Sequence, residues 1–340
     1  MRENGPDRKG RARVVVVTGA SAGVGRAAAR EFARRGYGVA MLARGEAGLE
    51  AAHRDLQAMG ARSLPLAVDV ADPEAVENAA HRVEEDLGEI DVWVNNAMAT
   101  VFAPVWETNP DEFRRATEVT YLGAVWGTLA ALRRMRPRDR GSIVQVGSAL
   151  AYRSIPLQSA YCGAKHALLG FTDSLRSELT HEKSNVRLTM VHLPGLNTPQ
   201  FSWSRAKLPW HPQPVPPVYQ PEIAADAIVW ASEHERREVW VGWPTYKTIL
   251  GQRVAPWYLD RYLAENAWDE QMTDERLDGE REGNLFQARD QDRDRGARGL
   301  FDRGARSQSP LFWISRHRGG AVAAAAGAIA MSLWACRRPA

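Results

Sequence analysis

The chain has 340 residues, 44% of them hydrophobic and 25% charged, with 28 Gly and 19 Pro. This balance suits a globular protein and excludes a wholly disordered chain, a collagen-like repeat and a disulfide scaffold. Lys and Arg number 44 against 41 Asp and Glu, and the resulting +3 is too small an excess to point to nucleic acid. The two cysteines, Cys162 and Cys336, build no disulfide framework and fit a reducing, cytoplasmic setting.

Residues 1–12 are polar and basic, with no apolar stretch of the kind a secretory signal carries. They read as a disordered, solvated lead-in; a nucleic-acid arm is the other reading of RKGRAR. From residue 13 onward short apolar runs alternate with helical patterns. The runs are RVVVV (13–17), GVAML (38–42), SLPLAV (63–68), DVWV (91–94), SIVQV (142–146), VRLTMV (186–191) and EVWVG (238–242). Near-continuous β-branched runs belong to strands covered on both faces, the habit of a parallel sheet. Strands alternating with helices make right-handed βαβ units. The expected fold is therefore α/β, a doubly wound parallel sheet of about seven strands in one domain over 13–268.

Around residues 196–220 the pattern breaks. The string LNTPQFSWSRAKLPWHPQPVPPVYQP holds seven prolines and two tryptophans. Proline removes donors and fixes φ, so regular structure is not expected there. A long irregular loop in this position suits a lid or substrate wall, with a plain surface connection as the other reading. Residues 244–268 carry apolar residues at helical spacing. Residues 269–310, rich in Arg, Asp, Glu and Gly, read as a charged flexible linker, because so few apolar groups cannot offset the entropy of ordering. Within 311–340, residues 319–336 are 18 in a row without a charge, flanked by Arg316, Arg318, Arg337 and Arg338. A helix there would span ~27 Å, near the thickness of a bilayer core. Alanine and glycine dominate it, so a weak attachment to the cytoplasmic membrane face and a loosely docked helix both fit.

The segment VVVVTGASAGVGRAAAREFARRG joins the first strand to the first helix. Its glycines Gly19, Gly23 and Gly25 allow a tight turn and close approach of a pyrophosphate, which the helix N-terminus attracts. The turn as a whole, Thr18 to Gly25 with Ser21 and Val24, is the candidate phosphate cradle. A strand before it and an amphipathic helix after it supply the required context. At the end of the second strand, where a site for a free ribose 2′-hydroxyl places Asp or Glu, the chain has Ala43 and Arg44. A guanidinium suits a 2′-phosphate, so NADP(H) is expected over NAD(H).

Tyr161 and Lys165 lie four apart in a long helical pattern and share a face. An ammonium beside a phenol favours phenolate, so Tyr161 is a candidate general acid and base. Ser148, at the end of the strand SIVQVGS, is placed where parallel-sheet sites open and is the candidate that orients a substrate oxygen. His166 and His192 read as packed or hydrogen-bonded residues, and no spacing of His, Cys or carboxylates reads as a metal site.

TGASAGVG (18–25), NNA (95–97), Ser148, YCGAK (161–165) and PG (194–195) together resemble the short-chain dehydrogenase/reductase family. The resemblance covers roughly 14–243. It implies Tyr161 as proton donor in reduction and acceptor in oxidation. It further implies Lys165 as the residue that tunes Tyr161 and holds the nicotinamide ribose, and Ser148 as the one that polarises the carbonyl. Asp69 and Val70 would contact the adenine and Asn96 and Ala97 would line the cofactor. Pro194 and Gly195 would pass near the nicotinamide, with Asn197 and Thr198 beyond. Two positions depart from the pattern: Thr120 stands where the family has an Asn in a water-mediated relay, and Met98 where NNAG has its glycine. The implied activity is NADP(H)-dependent interconversion of a ketone and a secondary alcohol. The substrate would be a small carbonyl or alcohol compound, which the apolar loop makes lipophilic, and the family often forms homo-oligomers. The alternative is a dinucleotide-binding sensor or scaffold without turnover.

Overall fold

Seven runs of apolar residues become seven strands. They are β1 Val14–Thr18, β2 Gly38–Ala43, β3 Ser63–Ala67, β4 Ile90–Asn95, β5 Gly141–Val146, β6 Val186–His192 and β7 Glu238–Trp240. In this computed structural model, which describes residues 11–317, they form one sheet in the order 3-2-1-4-5-6-7, with every neighbouring pair parallel. The order reverses between β1 and β4. That switch point opens a crevice at the carboxyl ends of the strands, where ligands of such sheets bind.

Alternate residues of each strand feed opposite faces. Val15, Val17, Val39 and Met41 pack with α1 (Gly23–Arg34), α2 (Glu46–Ala58) and α7 (Pro221–Glu233). Val14, Val16, Ala40 and Leu42 pack with α3 (Pro73–Asp86), α5 (Gly123–Met135) and α6 (Ser159–His181). Both faces are covered, which is why the strands read as continuous apolar runs instead of alternating ones. Between α4 (Pro110–Thr117) and α5 the helix widens into a π-turn over Glu118–Leu122, which carries Thr120.

The proline-rich loop is more regular than its composition suggests. It contains a helical turn at Gln200–Trp203, a two-residue strand Arg205–Ala206 paired with Val101–Phe102, and Trp210–Pro212 paired antiparallel with Met272–Arg276. Two further helices, α8 (Trp243–Val254) and α9 (Pro256–Asn266), follow β7.

Residues 269–310, expected as a flexible linker, instead lie against the body, and α10 (Pro310–Arg316) follows them. Leu285 is 0% exposed, and Gln271, Asp290 and Ala297 are buried. Some of the charges that suggested solvation are spent on the body: Arg281 donates to the Ser204 and Phe201 carbonyls at 2.8 and 2.9 Å, and Asp294 pairs with Arg26 at 2.9 Å. Among the described residues no helix is long and apolar enough to cross a membrane. The expected helix at 319–336 and residues 1–10 of the expected lead-in lie outside the described residues.

Candidate active site

The glycine turn is held from behind before it can hold anything. The Asn96 side chain donates to the Thr18 carbonyl at 2.9 Å and the Gly19 carbonyl at 3.3 Å. The Thr18 hydroxyl accepts from the Asn96 and Ala97 amides at 2.9 and 3.0 Å. Gly19 has φ +67°, and a Cβ there would stand 2.9 Å from Ala97 Cα. A Cβ at Gly25 would meet the Gly19 carbonyl oxygen at 2.1 Å, so α1 packs on the turn only because the side chain is missing. This leaves a backbone cradle at the start of α1 facing a cleft of about 510 Å³, the size of small-ligand sites. A pyrophosphate fits that cradle once the Gly296 carbonyl, which accepts from Gly23 N at 3.0 Å, moves aside: the cradle offers backbone donors at a helix N-terminus and no side chain in the way.

Most of the residues singled out in the sequence line this one cleft: Gly19, Ser21, Gly23, Val24, Arg44, Asp69 and Val70 at one end, and Asn96, Ala97, Ser148, Tyr161, Lys165, Pro194, Gly195 and Thr198 further along. Thr18 and Gly25 stand behind the wall and shape it. Met98 also lines the cleft.

At the floor, Ser148 follows two residues after the end of β5 and α6 begins eleven residues later, which brings three side chains together. Tyr161 and Ser148 are hydrogen-bonded through their side chains. Lys165 Nζ lies 5.6 Å from the centre of the Tyr161 ring and donates to the Val146 carbonyl at 2.7 Å. Burial raises the Tyr161 phenol above its ordinary value, and the Ser148 hydrogen bond opposes that rise only in part. Burial also draws Lys165 down to about 8. The sequence argument has the ammonium lowering the phenol; in the cleft as it stands desolvation is the larger effect. Tyr161 is thus a protonated donor at neutral pH.

Behind Ser148 lies a support that sequence reasoning missed. Fully buried His192 has Nδ1 3.0 Å from the Ser148 carbonyl oxygen, and its Nε2 stands 3.5 Å from Glu238. Glu238 also accepts from Tyr152 and from Trp240, each at 2.8 Å. Burial pushes this carboxylate up, but the nearby His192 ring and the Trp240 and Tyr152 hydrogen bonds outweigh it and hold Glu238 at about 2. His192 is packed and hydrogen-bonded, as expected; its acidic partner comes from β7, 46 residues along, with no local signal. Thr120 accepts from the Ala99 amide at 2.9 Å and donates to the Ala99 carbonyl at 3.0 Å. Its hydroxyl proton therefore pins the loop after β4.

Arg44 differs from expectation. Its guanidinium donates to three backbone carbonyls of the C-terminal segment: those of Asn284, of Leu285 at 3.3 Å and of Phe286 at 3.1 Å. Burial lowers its basicity. Asp69, expected at the adenine, is paired with Arg115, which also donates to the Leu285 carbonyl at 3.2 Å.

The comparisons with known proteins agree with this geometry. Residues 13–208 match the family model for short chain dehydrogenase. An uncharacterized oxidoreductase, YxnA, of Bacillus subtilis is 30% identical over 279 residues, covering 81% of this chain and 78% of that protein. The bovine dehydrogenase/reductase SDR family member 7B is 34% identical over 184 residues; the match spans 52% of this chain and only 56% of that protein. Among solved structures, a short-chain dehydrogenase from Streptomyces avermitilis superposes with a TM-score of 0.62 at 29% identity, covering 75% of this chain and 96% of that one. An alcohol dehydrogenase from the archaeon Thermococcus sibiricus, complexed with 5-hydroxy-NADP, gives 0.57 at 26% identity, covering 68% and 96%. Cradle, sheet order and matches agree: the chain belongs to the short-chain dehydrogenase/reductase family of oxidoreductases, built on a Rossmann-like nucleotide-binding sheet.

Proposed function

We propose that the protein interconverts a ketone and a secondary alcohol with NADP(H). The observation that carries this reading is the convergence of Ser148, Tyr161 and Lys165 on the floor of the cleft whose far end is the glycine turn. The nicotinamide, when bound, supplies or accepts the hydride. The protein's own groups do the rest. Ser148 donates to the substrate oxygen and fixes its place beside the phenol. Tyr161 Oη gives its proton to that oxygen in reduction and takes it back in oxidation. The buried Lys165 ammonium stabilises negative charge developing at the phenol and at the substrate oxygen. The Glu238–His192 pair orients Ser148 through its carbonyl.

NADP(H) is supported by the absence of an acid at the end of β2 and by the cofactor analogue in the Thermococcus structure, and Arg44 on the cleft rim is the guanidinium a 2′-phosphate would take from its present carbonyl partners. The mouth of the cleft is lined by Trp203, Trp243, Leu259, Tyr262 and Leu263, which suits an apolar carbonyl compound. The test is a panel of ketones and alcohols with NADPH, NADH and their oxidised forms, followed by nicotinamide absorbance. Turnover is expected, and Tyr161→Phe is expected to cut kcat by roughly 10²–10⁴ while dinucleotide binding stays. Dinucleotide binding without turnover across the panel, or full activity in Tyr161→Phe, overturns the reading.

A further inference from the structure

The place where a 2′-phosphate would sit is already taken by the chain itself. Three features make such a place: a cation, free amides at a helix N-terminus, and a notch without side chains. Here the cation is Arg44, and its guanidinium is given to the carbonyls of Asn284, Leu285 and Phe286. The amides are those that open α2. Gly48 N donates to the Asp290 carbonyl at 3.0 Å and Ala47 N to the Gln291 carbonyl at 3.3 Å. The notch is Gly45 and Gly48, and the Asp290 carboxylate fills it: Cβ atoms at those glycines would fall 1.9 Å from its Oδ1 and 2.5 Å from its Oδ2. Further along, Gly23 N of the phosphate turn donates to the Gly296 carbonyl at 3.0 Å, and Asp294 pairs with the buried Arg26 at 2.9 Å.

Asp290 is 4% exposed and lines the cleft, yet among the described residues no donor reaches its Oδ2. Ser21 stands next to it across Gly48. A buried carboxylate oxygen without a donor is costly to keep, and a carboxylate and a phosphate cannot share one notch.

We propose that segment 284–296 is a built-in competitor for the 2′-phosphate, with Asp290 as the residue that sets dinucleotide selectivity. While the segment is docked, the 2′-phosphate has neither its notch nor its guanidinium. NADP(H) binds by displacing residues 284–291, whereas a dinucleotide with a plain 2′-hydroxyl has only the Gly296 carbonyl to move from the phosphate turn. By linkage, whatever loosens the segment raises NADP(H) affinity by the same factor that NADP(H) loosens the segment. This rests on the reading above that the cleft binds a nicotinamide dinucleotide.

The full chain is titrated with NADP⁺ and NAD⁺ by calorimetry, as wild type, D290A and D290N, and wild type is exposed briefly to trypsin, which cuts after Arg289, Arg293, Arg295 and Arg298. D290A is expected to tighten NADP⁺ at least fivefold and to leave NAD⁺ within twofold. D290N, which keeps the shape, is expected to move the same way by less. NADP⁺ is expected to hasten cutting after Arg289 and Arg293, beside the notch, and NAD⁺ to leave cutting at those two sites unchanged. Unchanged NADP⁺ affinity in both variants overturns the proposal, as does protection of 289–298 by NADP⁺. A fivefold loss of NAD⁺ in D290A also overturns it, by making Asp290 a ligand of the ribose. If wild type binds neither dinucleotide, the underlying reading falls and the proposal with it.

Discussion

Lys165 is the residue whose protonation the fold disturbs most usefully. Burial holds it at about 8, below the ordinary lysine value near 10.5. Between those two values the unfolded chain binds more protons than the folded one, so stability gains from this residue as pH rises through the window and the penalty is full below it. K165M removes the buried charge. Its melting temperature relative to wild type is expected to be several degrees more favourable at pH 7 than at pH 10, and thermal melts across that range check it. Glu238 has the opposite sign. Held at about 2, it contributes stability above the ordinary carboxylate range that disappears as pH falls from about 4.5 toward 2. E238Q is expected to be less stable than wild type by on the order of 2 kcal/mol at pH 7, with the gap closing in acid, as urea melts at pH 3–7 would show.

At the scale of elements, the contact between β4, β5 and α5 is a closed polar network inside an apolar layer. Trp93 donates to Asn95 at 2.8 Å, Asn95 donates to Thr128 and Gln145 at 3.0 Å each, and Gln145 donates to Thr128 at 2.8 Å. Gly127 leaves room for it, since a Cβ there would stand 2.2 Å from Asn95 Oδ1. Gly127→Ala is expected to cost about 1–3 kcal/mol by calorimetry, through overpacking and a broken network, with the Ser148–Tyr161 floor untouched. Gly25→Ala is expected to abolish dinucleotide binding, because the same clash falls on the phosphate turn. Asn95 was readable only as part of NNA; its role needs Gln145, fifty residues away, which no local pattern announces. The seven strands, by contrast, were legible as runs, because a strand covered on both faces cannot hide its composition. Ser148, Tyr161 and Lys165 were legible because one strand end and one helical turn bring them together.

Across the whole molecule, the segment after residue 268 was the part composition misjudged. Its arginines and aspartates read as solvated, yet several pair with groups of the body far back in the chain: Arg281 with the Ser204 and Phe201 carbonyls, Arg316 with Asp226, and Asp294 with Arg26. Its most deeply buried apolar anchor among the described residues, Leu285, packs in the layer that holds Val70 and Phe113. Leu285→Ala is expected to lower stability by about 2–5 kcal/mol, read by calorimetry, which a flexible linker would not show. The order of the chain adds a consequence. All seven strands are complete by residue 240, while the groups that roof the cleft lie at 284–296. Synthesis runs from the N-terminus at roughly 5–20 residues per second, and domains fold as they emerge. The sheet therefore closes a few seconds before its cover is made. In those seconds the nascent protein presents Arg44 and the α2 amides bare, and a dinucleotide met on the ribosome finds the doorway without its occupant.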